Sequence, residues 1–332
     1  MLKKIIYIII FYIHMLSFSN IFTLGSYIGN CSKNGSNISK NVLFELLPIL
    51  YQKGFSSPIY YSGKYNMMED KVDIMIGNHL NVLDFTIYVS IIRQFDNRDI
   101  YLIFKKTLIF IPAAGFIISS SNDIKLNRNY NDDKNNIMNS LKNIKSGIIL
   151  LLPEGTRFTA LKKELSNNYS TKNNLHKFNN ILYPKMKGLW LICNCLTELN
   201  RMGNIIDLSI VVENYKNKEC KTLDLLKGKL GNTYCVISSY QPDLSNIIEY
   251  DNFKEWFLDL WKEKDNIVGR MLTRNDNYIY RKLDNSISNS SYMLLILVTS
   301  LFIYLMVITK GLFLPISLLV TYIISIVKYK NI

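Results

Sequence analysis

His79 and Asp84 stand five positions apart in the run GNHLNVLDF, and together they have the makings of a general base. A carboxylate bonded to one imidazole nitrogen fixes the tautomer and stabilises the imidazolium, leaving the other nitrogen to take a proton. In a continuous helix a five-residue step turns two side chains about 140° apart. The pair therefore works only if His79 lies in a loop and Asp84 in the first turn of the helix that follows. That arrangement is half of a serine-hydrolase triad, without the nucleophile. A histidine that merely caps a helix fits the same spacing. Chance alone places an Asp at this step from a histidine in about one chain in five for a sequence with so few histidines.

A second group, LLLPEGTRF, sets Glu154, Gly155, Thr156 and Arg157 directly after an apolar run. At the end of a buried strand, such a turn lies on the edge where an α/β sheet presents its ligands. Gly155 permits a tight turn and Arg157 offers a planar fork for phosphate, while Glu154 orients that fork or accepts from a ligand hydroxyl. The plainer use is a surface ion pair on a turn. Four specified residues recur by chance on the order of once in several hundred chains, so this group favours a site where the first alone does not.

The elements needed to hold these groups are legible around them. KVDIMIGNH reads as a buried strand running into a loop, LDFTIYVSIIRQF as a helix and DIYLIF as a strand. NYNDDKNNIMNSLKNIK has helical apolar spacing, and GIILLLPEG is another buried strand ending in a turn. IIDLSIVVE and YCVISSY look like two more strands, and FKEWFLDLWKEKDNIVGRML closes the region as a helix. Short β-rich runs alternating with helices predict an α/β domain with a central, mostly buried mixed sheet flanked by helices. Residues 30–39 and 165–180 read as polar loops, and there is no internal repeat.

The 332 residues hold 48% hydrophobic side chains, which argues against a disordered chain, and their number suits one domain of ordinary size plus membrane segments or two small domains. Lys and Arg outnumber Asp and Glu by 39 to 26. The formal charge of +13 favours anionic partners, although a bias toward Asn, Lys and Ile gives the same count with no partner at all. Cys31, Cys193, Cys195, Cys220 and Cys235 have no regular spacing, so neither a disulfide framework nor a zinc site is implied and a reducing environment fits better.

Both termini are apolar. Lys3 and Lys4 precede a run that reaches about Leu24, long enough for a membrane anchor and longer than most cleaved signals. Near the other end, Tyr292 to Thr309 and Leu312 to Val327 are uncharged and parted by Lys310 and Gly311. Basic residues outside both arms suit a two-pass hairpin with its ends on the cytosolic side, and the shortness of each arm also suits a re-entrant one. The expected divisions are an anchor or signal over 1–28, an amphipathic linker over 29–57, the α/β domain over 58–280 and the hairpin over 292–327.

The strand leading to NHLNVLD, with PEGTR some 75 positions further on, resembles the glycerolipid acyltransferases, which include lysophosphatidic acid acyltransferase. The similarity is strongest to the branch with lysocardiolipin acyltransferases and covers roughly Pro58 to Arg274. PIYYSG, FKKTLIFIPAAG, IKLNRNYNDD and LYPKMKG add to the pattern. The resemblance implies His79 as general base and Asp84 as its partner. It further implies Glu154, Gly155, Thr156, Arg157, Arg128 and Lys105 around the acceptor's phosphate, and Pro184, Lys185 and Lys187 as the fourth block. The second block departs from the family, reading Asn122, Asp123, Ile124, Lys125, Leu126, Asn127 before Arg128, so the acceptor is the least determined feature.

What the resemblance implies is acyl transfer from acyl-CoA to the free hydroxyl of a lysophospholipid, first of all lysophosphatidic acid. It implies no metal or other cofactor, no nucleic acid, no obligate protein partner and an integral membrane location, in the endoplasmic reticulum or else a plastid or mitochondrial membrane. Lysocardiolipin or lysophosphatidylinositol, glycerol-3-phosphate, thioester hydrolysis and a non-catalytic membrane scaffold are the alternatives. A single complete N-terminal crossing would set the domain opposite to acyl-CoA, and a two-part or re-entrant N-terminal element, using VLFELLPILY, would reconcile the two.

Overall fold

Asp73 aside, Val72–Gly77 is apolar or small throughout and is buried at every position, as a central parallel strand covered on both faces must be. In the computed structural model the described residues are 13, 17, 40–41, 44–46, 48–55, 57–64, 67–81, 84–110, 123–127, 129–215, 224, 227–243, 247–284 and 289–309. They include strands β1 (Ile59–Ser62), β2 (Val72–Gly77), β3 (Ile100–Lys105), β4 (Ile124–Leu126), β5 (Gly147–Leu151), β6 (Met202–Val212), β7 (Thr233–Tyr240) and β8 (Arg281–Lys282). The α-helices among them are α1 (Asp84–Phe95), α2 (Tyr130–Lys142), α3 (Ala160–Lys172), α4 (Met186–Glu198), α5 (Tyr250–Thr273) and α6 (Asn289–Ile308).

The strands form one sheet in the order β4-β3-β5-β2-β6-β7-β1-β8. Pairing is parallel from β4 through β6, antiparallel between β6 and β7, parallel between β7 and β1, and antiparallel again at β8. This is the expected α/β class, with a mixed sheet between helices. Its functional consequence is that β3, β5, β2 and β6 all end on one edge, where the loops after parallel strands gather.

Alternation along β2 divides the core in two. Ile74 and Ile76 pack with Leu141 of α2, Leu189 of α4 and Trp261 of α5, whereas Met75 faces Tyr51, Tyr88 and Ile91 on the side of α1. The site edge therefore sits on a sheet clamped from both faces.

Three expectations change. PIYYSG, not among the strands read from the sequence, itself supplies β1, which pairs with β7 across the chain. The stretch 165–180 is not all loop: α3 occupies Ala160–Lys172, capped by the Thr159 hydroxyl, which accepts from the Lys162 amide at 3.1 Å. Only three large apolar side chains, Leu161, Leu165 and Tyr169, stand among its Asn, Ser and Lys residues, so the apolar stripe is too sparse to announce a helix. Among the described residues no helix is long and apolar enough to cross a membrane. The first hairpin arm falls in α6, which opens on the polar residues Asn289, Ser290 and Ser291 and exposes Leu297, Tyr304 and Val307. The second arm and, apart from Ile13 and Ser17, the N-terminal run lie outside the described residues.

Candidate active site

The loop after β2 carries His79, and α1 begins at Asp84, which is the arrangement that the five-residue step requires. Asp84 Oδ2 accepts from His79 Nδ1 at 3.1 Å, from the Asn81 amide at 2.9 Å and from the Leu80 amide. One buried oxygen thus folds the loop around itself and holds the imbalance of charge an imidazolium would need. His79 is partly exposed, and its Nε2 makes no hydrogen bond with a described residue.

Two residues that motif reading passes over fix this loop to the sheet. Asn78, fully buried, donates Nδ2 to Ile210 O at 2.8 Å and accepts from Ile210 N–H at 2.9 Å, so its side chain adds a rung between β2 and β6 after the β2 backbone has turned away. Tyr88 of α1 donates its hydroxyl to Asn78 O at 2.8 Å. That hydroxyl occupies the space a side chain at Gly77 would need, since an added Cβ would lie 2.0 Å from it. A glycine before NH is the sequence trace of this close approach.

Strand register brings the second group alongside. Ile76 pairs with Leu151, so His79 and Glu154, each three residues further on, leave the sheet at the same level. The Phe158 amide donates to His79 O at 2.6 Å, and the His79 amide reaches Glu154 Oε2 at 3.4 Å. Gly155 has φ +64°, and the Lys185 stem lies against it, 3.1 Å from where a Cβ would stand. The Lys185 amide donates to Pro153 O at 2.7 Å, which docks the segment of Pro184, Lys185 and Lys187 onto the turn. Arg157 and Lys185 are exposed at this edge, Thr156 is half-buried, and Lys105 is exposed at the end of β3, the strand next to β5. Arg128 lies outside the described residues.

Glu154 departs from its expected place. Its carboxyl is turned inward rather than toward the edge, with Oε1 accepting from the Leu182 amide at 3.4 Å, so it braces three segments and presents nothing to a phosphate.

Residues 58–188 match the family model described as Acyltransferase. That segment is an acyltransferase domain. Over 189 residues, 55% of this chain and 48% of the relative, the chain is 29% identical to a probable 1-acyl-sn-glycerol-3-phosphate acyltransferase 5 of Arabidopsis thaliana. It is 28% identical over 230 residues to lysocardiolipin acyltransferase 1 of Gallus gallus, covering 68% of this chain and 60% of that one. The chain thus spans about half the length of these curated relatives. Among solved structures, the 1-acyl-sn-glycerophosphate acyltransferase of Thermotoga maritima shares the fold, with a TM-score of 0.52 at 14% identity, covering 81% of this chain and 95% of that one.

Behind the candidate site lies a buried ion pair. Lys264 of α5 donates to Asp207 Oδ1 at 2.9 Å, Leu208 O at 2.8 Å and Ser209 Oγ at 3.2 Å. Its sequence signal was available: Lys264 falls in register with the apolar stripe Phe257, Leu260, Trp261 and Val268 of a helix, and Asp207 is a lone charge in the middle of IIDLSIVV.

Burial pushes the Glu154 carboxyl up to about 8, against the opposing pull of the Leu182 and His79 amides and the Lys264 charge. A carboxyl that ionises later when folded keeps its proton between its ordinary value near 4.5 and about 8, where the unfolded chain has lost it. Stability therefore falls as pH rises through that window, by up to about 1.4 kcal/mol per pH unit. Urea unfolding at about pH 5 and about pH 8 should show this slope in the natural chain and a much flatter one in Glu154→Gln. An equal slope in both would remove Glu154 as its source.

Proposed function

We propose that this chain transfers an acyl group from acyl-CoA to the free hydroxyl of a lysophospholipid, with 1-acyl-glycerol-3-phosphate as the first acceptor. The observation that carries the reading is the His79–Asp84 pair at the sheet edge, tied through the Phe158 amide to a turn that exposes Arg157. In the reaction, His79 Nε2 takes the hydroxyl proton as that oxygen attacks the thioester carbonyl, Asp84 stabilises the imidazolium, and CoA leaves as the thiol. No covalent acyl-enzyme is needed. Arg157, Lys185 and Lys105 hold the phosphate and so place the hydroxyl. The apolar residues exposed on α6, together with the terminal runs, keep the enzyme at an organelle membrane where both substrates' chains reside.

The second acceptor reading is lysocardiolipin, favoured by the 68% of the chain that aligns with the Gallus gallus relative. Purified protein offered labelled acyl-CoA and a panel of lysolipids separates them by the labelled product. CoA release that proceeds equally without any lysolipid would show a thioesterase and overturn the transferase reading.

Arg157→Ala should cost about 1.5–3 kcal/mol of acceptor recognition, the range for a hydrogen bond to a charged group. That is about a tenfold to hundredfold fall in kcat/KM for a phosphorylated acceptor, with Arg157→Lys retaining part of it. Unchanged kinetics in Arg157→Ala would move the phosphate site elsewhere.

A further inference from the structure

The turn at 155–158 leads into α3 two residues after the Phe158 contact with His79, and α3 presents an unusual outer face. Leu161, Leu165 and Tyr169 recur every four residues, the spacing that lines side chains along one side of a helix. They are 64%, 51% and 53% exposed. The inner face is different in kind. Ser170 is buried, and Lys163 reaches inward to the carbonyls of Phe178 and Ile181. A helix fixed to the domain by its polar side, with leucines turned to solvent, reverses the usual arrangement for a surface helix.

The charge around that face is equally one-sided. Residues 155–187 contain seven Lys or Arg and one acidic residue, Glu164. Lys163 is used internally, but Arg157, Lys162, Lys172, Lys177, Lys185 and Lys187 are exposed. Apolar side chains rimmed by cations are the signature of a helix lying in the headgroup region of an anionic bilayer.

We infer that α3 is an interfacial platform that seats Leu161, Leu165 and Tyr169 in an anionic phospholipid surface beside the acyltransferase site. The acceptor would then reach His79 from the bilayer without its chain entering water. Only this purpose rests on the lipid-substrate reading; the docking itself is measurable without turnover.

Whole-protein binding cannot test this, because α6 and the terminal runs are also apolar, so the probe must be local. Leu161→Cys and Leu165→Cys are placed singly in a full chain carrying Cys31→Ser and Cys220→Ser, where Cys193, Cys195 and Cys235 are buried. An environment-sensitive fluorophore is attached to each. Glu69→Cys, exposed at the opposite edge of the sheet, is the control. With mixed phosphatidylcholine and phosphatidylglycerol vesicles, emission at both leucine positions should shift to the blue and be quenched by lipids carrying a chain-borne nitroxide. The response should weaken sharply in high salt and in pure phosphatidylcholine.

No shift at either leucine position with anionic vesicles overturns the inference. So does an equal shift at position 69, an undiminished one in pure phosphatidylcholine, or one that needs only raised protein concentration, which would identify a second copy as the occupant. Any of these can occur while acyl transfer proceeds normally, so failure of docking and failure of the proposed activity are separable.

Discussion

His79→Ala is expected to lower acyl transfer by about 10²–10⁴-fold, the usual contribution of a positioned general base, while the chain stays folded. The reason lies in how the residue is held. Its backbone supplies the structural contacts, the amide toward Glu154 and the carbonyl to the Phe158 amide, and both survive truncation of the ring. The imidazole bonds only to Asp84 among described residues and is partly exposed, so its removal opens no core cavity. Asp84→Asn should behave differently. Its Oδ2 also gathers the Leu80 and Asn81 amides, and an uncharged amide accepts those bonds less strongly. Activity and thermal stability should fall together in that variant, whereas in His79→Ala activity alone should fall. Labelled acyl transfer measured beside thermal unfolding checks both, and undiminished transfer by His79→Ala would eliminate the proposed mechanism.

Lys264→Met should destabilise the fold by about 3–5 kcal/mol, because it strands Asp207 as an unpaired charge in the interior. Neither side chain reaches solvent to any useful degree, and burial drives the lysine down and the aspartate up while each partner pulls the other back toward its charged form. At about 2–4 °C per kcal/mol for a domain of this size, the melting temperature should drop on the order of 10 °C. The same logic gives the double variant the opposite sign relative to the single one. Asp207→Leu with Lys264→Met removes both charges and should recover more than half of the loss, since paired buried ions are often replaceable by apolar groups of similar volume. A double variant as unstable as Lys264→Met would show that the bonds to Leu208 O and Ser209 Oγ, rather than the ion pair, hold α5 to β6.

Much of this architecture follows from local pattern. The strands β2, β3, β5, β6 and β7 and the helices α1, α2 and α5 occupy runs whose apolar spacing announces them, because each buries a face of its own. Where no such face exists, the pattern is silent. β1 is only four residues long, and α3 carries just three large apolar side chains among Asn, Ser and Lys. α4 was open to the same reading as α1 and α5: Leu189, Ile192, Cys193 and Leu196 in KGLWLICNCLTE recur at helical spacing and are buried.

The candidate site divides along the same line. By themselves, residue types and spacing allowed His79 and Asp84 to pair across a loop and the first turn of a helix, and placed PEGTR after a strand, because both groups lie within a few residues and answer to loop and helix geometry alone. Tertiary structure decided that the two groups meet. It did so by inserting β5 beside β2 in a register that puts His79 and Glu154 at one level, and by closing Phe158 onto His79 and Lys185 onto Pro153. It also turned Glu154 inward, gave Asn78 a partner 132 positions away and paired Lys264 with Asp207. Those outcomes depend on which strands are neighbours, and strand order is set by burial summed over the whole sheet rather than by any stretch of sequence that can be read on its own.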